Sequence, residues 1–139
     1  MTRIKYDINL MKFISFFENL TRSKVKDCID SGSSLIFVVQ KGEIGKAIGK
    51  NASNIKKIEN LLKRKVRVIE FDEDVAKFVR NVLAPIKVDE VELVDSKVVI
   101  RDPNMKTKGM IIGRDASNLK KHKEIVSRYF PIEDIVVEK

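Results

Sequence analysis

The sequence contains nearly the same eight-residue segment twice, and this repeat limits the possible folds more than any other feature. The first copy, IGKNASNI, spans residues 48–55, and the second, IGRDASNL, spans residues 112–119, so the copies are 64 residues apart. The same offset relates residues outside the segments, such as Gly45 and Gly109. A constant offset with conserved order indicates an internal duplication. We therefore expect two similar halves within the 139 residues.

The pattern of apolar residues predicts the same order of elements in both halves. An amphipathic helix comes first and is followed by two strands joined by a tight turn. A short helix, the repeated glycine segment, a long helix and a final strand complete each half. The second half begins directly after the last strand of the first, with almost no linker. We therefore place the first domain at residues 1–71 and the second at residues 72–139.

The charge of the chain indicates a polyanionic partner. Lys and Arg number 28 against 20 Asp and Glu, which gives a net charge of +8. Nucleic acid is the first candidate for such a chain, ahead of an acidic membrane. No apolar run approaches the roughly 18 residues of a membrane span, and the N-terminal residues lack the apolar centre of a signal peptide. We expect a cytoplasmic protein with no membrane partner.

Residues suited to catalysis or to metal binding are scarce. Cys28 and His122 are the only residues of their types, which excludes a zinc site of the usual Cys/His kind. Only three residues separate Gly45 from Gly49, one fewer than a P-loop needs, and Asn51 occupies the place of the magnesium-binding Ser or Thr. We therefore expect no enzyme activity, no cofactor, no metal and no small-molecule substrate.

The repeated glycine segment connects two helices and has the chemistry of a phosphate site. Gly49 and Gly113 allow a positive φ, and the helix that follows presents free N–H groups and the positive end of its dipole. Lys50 and Arg114 add a full positive charge at the same place in each copy. An ordinary joint between two helices, with lysines that are merely solvated, is the alternative. The duplication of the basic residue in a basic chain favours phosphate contact.

The residues after the basic position suggest where the long helices begin. Asn51 and Asp115 are types that commonly cap a helix, so we expect them to start the two long helices. Ala52 and Ala116 follow them, and alanine should favour helix at these positions.

Both segments resemble the KH-domain signature, I-G-x-x-G-x-x-I. Nearly the whole chain is similar to the archaeal NusA family of transcription factors, whose members resemble two type II KH domains in tandem. This resemblance implies an α+β fold in which each domain is a three-stranded mixed sheet covered by helices. It also implies binding of single-stranded RNA, with each loop clamping about four nucleotides. A role in transcription termination or elongation follows from the family, as does contact with RNA polymerase.

The resemblance assigns RNA binding to the glycine, the three residues after it and two lysines of the following helix in each copy. These residues are Gly49, Lys50, Asn51, Ala52, Lys56, Lys57, Gly113, Arg114, Asp115, Ala116, Lys120 and Lys121. Ala52 and Ala116 stand where the family pattern has a second glycine, and their methyl groups narrow the approach of a phosphate. The Asp115 carboxylate repels phosphate, so we expect weaker binding by the second copy.

Two other functions stay open at this point. A ribosome-associated protein with this fold would bind structured RNA in preference to single strands. A polymerase-docking scaffold would retain the fold but have degenerate loops that no longer bind RNA, and the substituted second glycines and Asp115 are the features in its favour.

Overall fold

The computed structural model describes residues 8–139. The chain divides into two compact units, with the boundary between Phe71 and Asp72. Each unit has the same order of elements, and each contains one three-stranded sheet. No helix within residues 8–139 has the length and apolar character needed to cross a membrane.

The first unit is a mixed sheet covered by three helices. Its elements are α1 (Ile8–Thr21), β1 (Val25–Asp30), β2 (Ser34–Val39), α2 (Ile44–Ile48), α3 (Ser53–Leu62) and β3 (Lys65–Glu70). Strand β2 lies in the centre, antiparallel to β1 and parallel to β3. The uninterrupted apolar run LIFVV suits this central position, because all five residues are buried. The predicted three-stranded mixed sheet is thus confirmed in this unit.

The core of the first unit fixes both helices that lead into and out of the glycine segment. The ring of Phe17 from α1 stacks on that of Phe37 from β2, with ring centroids 4.2 Å apart. Ala47 of α2 and Ile58 of α3 are completely buried in the same cluster. Each helix is therefore anchored near the segment by a residue in a close-packed core, where even small shifts are resisted.

The second unit repeats this architecture with different core residues. Its elements are α4 (Val75–Leu83), β4 (Glu90–Val94), β5 (Lys97–Arg101), α5 (Met105–Ile112), α6 (Ser117–Ser127) and β6 (Asp134–Val137). Strand β5 is central, antiparallel to β4 and parallel to β6. The ring of Phe78 in α4 meets the rings of Tyr129 and Phe130 beyond α6, with 5.6 Å between centroids in each pair. The mixed sheet covered by helices is confirmed here too.

A salt bridge connects the two turns at one end of the first unit. Arg64, between α3 and β3, donates from both terminal nitrogens to the carboxylate of Asp30, at 2.7 and 3.1 Å, and also to the carbonyl oxygen of Gly32. The hydrogen bonds from Arg64, joined by one from the backbone N–H of Gly32, lower the pKa of Asp30 from its ordinary value of 3.8 to about 2. The pair thus holds the β1–β2 turn against the α3–β3 turn.

We expect Arg64→Ala to return the pKa of Asp30 toward 3.8. Because the folded state lowers this pKa, the pair stabilises the protein above about pH 4, and that stabilisation is lost as the pH falls through about 2. Solvent screens the pair, since 46% of the Asp30 side chain is exposed, so we expect only a small contribution to the free energy of unfolding. NMR titration of the Asp30 carboxyl carbon in both proteins measures the pKa. An unchanged value in Arg64→Ala would contradict the assignment.

Candidate nucleic-acid interface

In both units the glycine ends one helix and a single tight turn leads into the next. Gly49 follows α2 with φ 76° and ψ 170°, and its N–H donates to the carbonyl of Gly45 at 2.9 Å. Gly113 follows α5 with φ 72° and ψ 177°, and its N–H donates to Gly109 at 2.8 Å. These glycines therefore have the positive φ predicted for them. A 3-10 turn of three residues then connects each glycine to the long helix.

The two residues before each long helix also have left-handed backbone conformations. Asn51 and Ala52 have φ of 56° and 60°, and Asp115 and Ala116 have φ of 55° and 60°. Three of the four residues in each loop, glycine included, therefore have positive φ. Non-glycine residues adopt this conformation at a cost of roughly 1–2 kcal/mol each. Both copies nevertheless adopt it, although their sequences differ at two of the four positions.

The prediction that Asn51 and Asp115 cap the long helices is wrong. Helix α3 begins at Ser53 and α6 at Ser117, and the N-cap positions are Ala52 and Ala116. An N-cap side chain must reach the N–H groups two or three residues ahead from an extended backbone. The left-handed turn places Asn51 and Asp115 one residue too early for this and in the wrong conformation.

The expectation that Ala52 and Ala116 favour helix is also wrong. Both residues lie outside the α-helix, in the left-handed region that glycine occupies without strain. The second glycine of the KH pattern therefore corresponds to a conformational requirement of this loop. Alanine meets that requirement here at the cost of backbone strain.

The side chain of an asparagine fills the space beside each glycine. A Cβ atom on Gly49 would lie 2.9 Å from Cγ and Nδ2 of Asn54, and one on Gly113 would lie 2.7 Å from the same atoms of Asn118. The Nδ2 of Asn54 donates to the carbonyl of Lys46 at 2.8 Å, and that of Asn118 donates to Met110 at 3.1 Å. The atoms that leave no room for a side chain at each glycine thus belong to the protein itself, namely to the asparagine side chain.

The basic candidates lie on the surface around the loops. All six are exposed: Lys50, Lys56, Lys57, Arg114, Lys120 and Lys121. Because side chains of a helix lean toward its N-terminus, the lysines in the second turn of α3 and α6 are directed back toward the loop. Gly49 and Gly113 are half-buried, as are Ala52 and Ala116, whereas Asn51 and Asp115 are exposed. Contact of these twelve residues with RNA stays a prediction.

The long helices begin without a side-chain cap, in contrast to α4 and α5. Asp74 accepts hydrogen bonds from the backbone N–H groups of Ala76 and Lys77 at the start of α4. Asn104 likewise accepts one from Thr107 at the start of α5. At α3 and α6 no such bond is made by Ala52 or Ala116. The N–H of Ser53 donates to the carbonyl of Lys50 and that of Ser117 to the carbonyl of Arg114, so solvent or an anion can occupy only the N–H groups that follow them in the first turn.

Comparison with known proteins is consistent with this geometry. A family model described as "KH domain" matches residues 13–92. The "Probable transcription termination protein NusA" of Methanocaldococcus jannaschii is 31% identical over 99% of this chain and 76% of its own length. The protein of that name from Halobacterium salinarum is 33% identical over 89% of this chain and 91% of its own length.

A solved structure agrees over almost the whole chain. The crystal structure of APE1850 has a TM-score of 0.75 and 29% sequence identity, and it covers 95% of this chain and 99% of its own. The fold and the paired loops define a protein of the KH class. The chain belongs to the archaeal NusA family, as the sequence predicted.

Sequence reasoning missed Asn54 and Asn118 as members of the site. Both belong to the repeated triplet Ala-Ser-Asn, which is identical in the two copies. The available signal was that this asparagine is the same in both copies, whereas the basic position is Lys50 in one copy and Arg114 in the other. The pattern alone does not show that this side chain reaches back across the loop.

We expect Ala52→Gly and Ala116→Gly each to raise the free energy of unfolding by about 0.5–1 kcal/mol. Relief of the left-handed strain outweighs the greater entropy of glycine in the unfolded chain. The control is Ala76→Gly, because Ala76 lies within α4, where glycine should destabilise. Urea denaturation of the three variants and the native protein gives the comparison. A loss of stability in Ala52→Gly as large as in the control would contradict the prediction.

Proposed function

We propose that this protein binds single-stranded nascent RNA through its two KH loops and acts in transcription termination or elongation. The main support is that two loops, 64 residues apart, have the same left-handed backbone and a basic residue after the glycine. Each loop is also followed by a long helix without a side-chain cap. Its relatives carry the name "Probable transcription termination protein NusA". The proposed domains are residues 1–71 and 72–139, with one loop in each.

The loop chemistry suits the RNA backbone. Lys50 or Arg114 supplies a charge at the turn, and the first-turn N–H groups of the following helix supply donors directed outward. Lysines one turn further extend the basic surface along α3 and α6. Contacts of this kind fix the register of the strand, whereas sequence preference comes from base edges. We therefore propose the twelve loop and helix residues as the RNA contacts.

RNA polymerase is the proposed second partner, because a factor that acts on nascent RNA works beside the enzyme that makes it. In this proposal the protein itself catalyses no reaction: it holds the transcript. Holding the transcript would alter pausing or release, since RNA bound by the loops is not free to form other structures.

One observation favours a scaffold role for the second unit. Asp115 places an exposed carboxylate in the loop beside Arg114, and Met110 replaces the basic Lys46 of the first copy. Both changes reduce the attraction of the loop for phosphate. We therefore propose that the first loop binds RNA more tightly than the second.

Fluorescence anisotropy with labelled single-stranded RNA tests the proposal. We expect Lys50→Ala to raise the Kd about three- to tenfold at low salt and to reduce the slope of log Kd against log salt by about 0.7, because one phosphate contact is removed. Arg114→Ala should have a smaller effect. The matched control is Lys65→Ala, because exposed Lys65 begins β3 just past the C-terminal end of α3, about 15 Å along the helix axis from the loop.

These single-residue changes test the loop more cleanly than a charge placed at the glycine. Any side chain at Gly49 meets Asn54 and requires a positive φ, so Gly49→Asp would distort the loop as well as change its charge. Tighter binding of duplex or folded RNA than of single strands would favour the ribosome-associated alternative. Absence of all RNA binding, with retained polymerase binding, would favour the scaffold.

A further inference from the structure

One residue that contacts each loop is not named by the KH signature. In both units an asparagine five residues after the glycine reaches back across the loop to the preceding short helix. We propose that Asn54 and Asn118 are positioning residues: each locks its loop in the conformation that receives RNA. The inference rests on the proposed function and adds a residue to its machinery.

The bond made by each asparagine replaces one that the helix loses. In a continuing helix the carbonyl of Lys46 would accept from the N–H of Lys50, four residues ahead. The chain leaves the helix at Gly49, so that carbonyl becomes one of the unsatisfied groups of a helix end. The Nδ2 of Asn54 donates to it at 2.8 Å. At the second loop Asn118 does the same for Met110, at 3.1 Å.

This bond closes the loop at both of its ends. The acceptor precedes the glycine by three residues, and the donor side chain lies in the first turn of the long helix. A Cβ atom at Gly49 would lie 2.9 Å from this side chain and equally close to the hydroxyl of Ser53, so any larger residue at position 49 would force the Asn54 side chain to move. The hydrogen bond and the contact of Asn54 therefore add to the core anchors Ala47 and Ile58 in holding α2 and α3 together at the loop.

The lock is needed because the loop is strained. Asn51 and Ala52 are both left-handed, and neither is a glycine. Strained conformations persist only where the surrounding structure holds them. Nothing in the sequence of the loop itself favours this backbone, apart from Gly49 and the tolerance of Asn51 for positive φ. The contacts of Asn54 supply the missing constraint.

The second unit provides an independent observation. Its loop has Arg and Asp where the first has Lys and Asn, and Met110 where the first has Lys46. The asparagine, its acceptor position and the contact with the glycine are the same. Three positions differ between the loops, and Asn118, although also exposed, makes the same hydrogen bond and the same contact with the glycine as Asn54. Retention of this contact is what a positioning role requires.

The substitution Asn54→Leu removes the hydrogen bond to the carbonyl of Lys46 and keeps a side chain of similar shape. Leucine has the branched shape of asparagine and a higher helix propensity, but it has no donor for the carbonyl of Lys46. The matched control is Asn60→Leu, an exposed asparagine of the same helix in its C-terminal half. Anisotropy with labelled single-stranded RNA, amide hydrogen exchange and thermal denaturation are measured for both variants and for Asn118→Leu.

We expect Asn54→Leu to raise the RNA Kd roughly five- to tenfold, because the variant loses one hydrogen bond that sets the geometry of the loop. Asn60→Leu should bind RNA as the native protein does. Exchange should accelerate at the amides of Gly49 and Ala52 in Asn54→Leu, and at those of Gly113 and Ala116 only in Asn118→Leu. The melting temperatures of Asn54→Leu and Asn60→Leu should agree within a few degrees. A merely structural role would lower the melting temperature without this local pattern.

Two results would overturn the inference in different ways. If the native protein binds RNA and Asn54→Leu binds it equally well, the positioning role is wrong and the proposed function stands. If the native protein does not bind RNA at all, the proposed function is wrong and the role of Asn54 in RNA binding is lost with it.

Discussion

The constraint on which the rest of this structure depends is the reversal between a short and a long helix within four residues. Three of the four residues in each loop have positive φ, and only one of the three is a glycine. The remaining strain must be balanced by contacts outside the loop. The buried anchors Ala47 and Ile58, together with the asparagine bridge, provide them on the two sides of the first loop. The sheet and its core can thus be regarded as the frame that keeps a high-energy turn in place.

The same frame tolerates different surface chemistry. Both loops have closely similar backbone angles, although one exposes Lys50 and Asn51 and the other exposes Arg114 and Asp115. Shape and charge are therefore separable in this fold: internal contacts determine the shape, and exposed side chains determine the local field. A duplicated domain can in this way keep two loops of equal geometry and different charge.

The sequence predicted most of the fold because its strongest signals are periodic. The apolar run Leu35–Val39 predicts a strand, and the constant offset transfers each assignment from one half to the other. The KH resemblance identified the family and the position of the loops. What it did not predict is the backbone inside the loop. Asparagine is common both at helix N-caps and in left-handed turns, so the residue type of Asn51 does not distinguish between the two. The structure places Asn51 in a left-handed turn. The role of Asn54 was missed for a related reason, since it depends on a contact between residues eight positions apart.

The burial of the single cysteine makes the protein suitable for spectroscopy. Cys28 lies in the core of the first unit and is 1% exposed, and it is the only cysteine in the chain. A buried thiol in apolar surroundings reacts slowly with alkylating reagents. Fluorophores attached to cysteines introduced on the outer faces of α3 and α6 would therefore be the only labels. The distance between the two loops, with and without a bound strand, then becomes accessible to energy-transfer measurements on a chain that needs no prior removal of a native thiol.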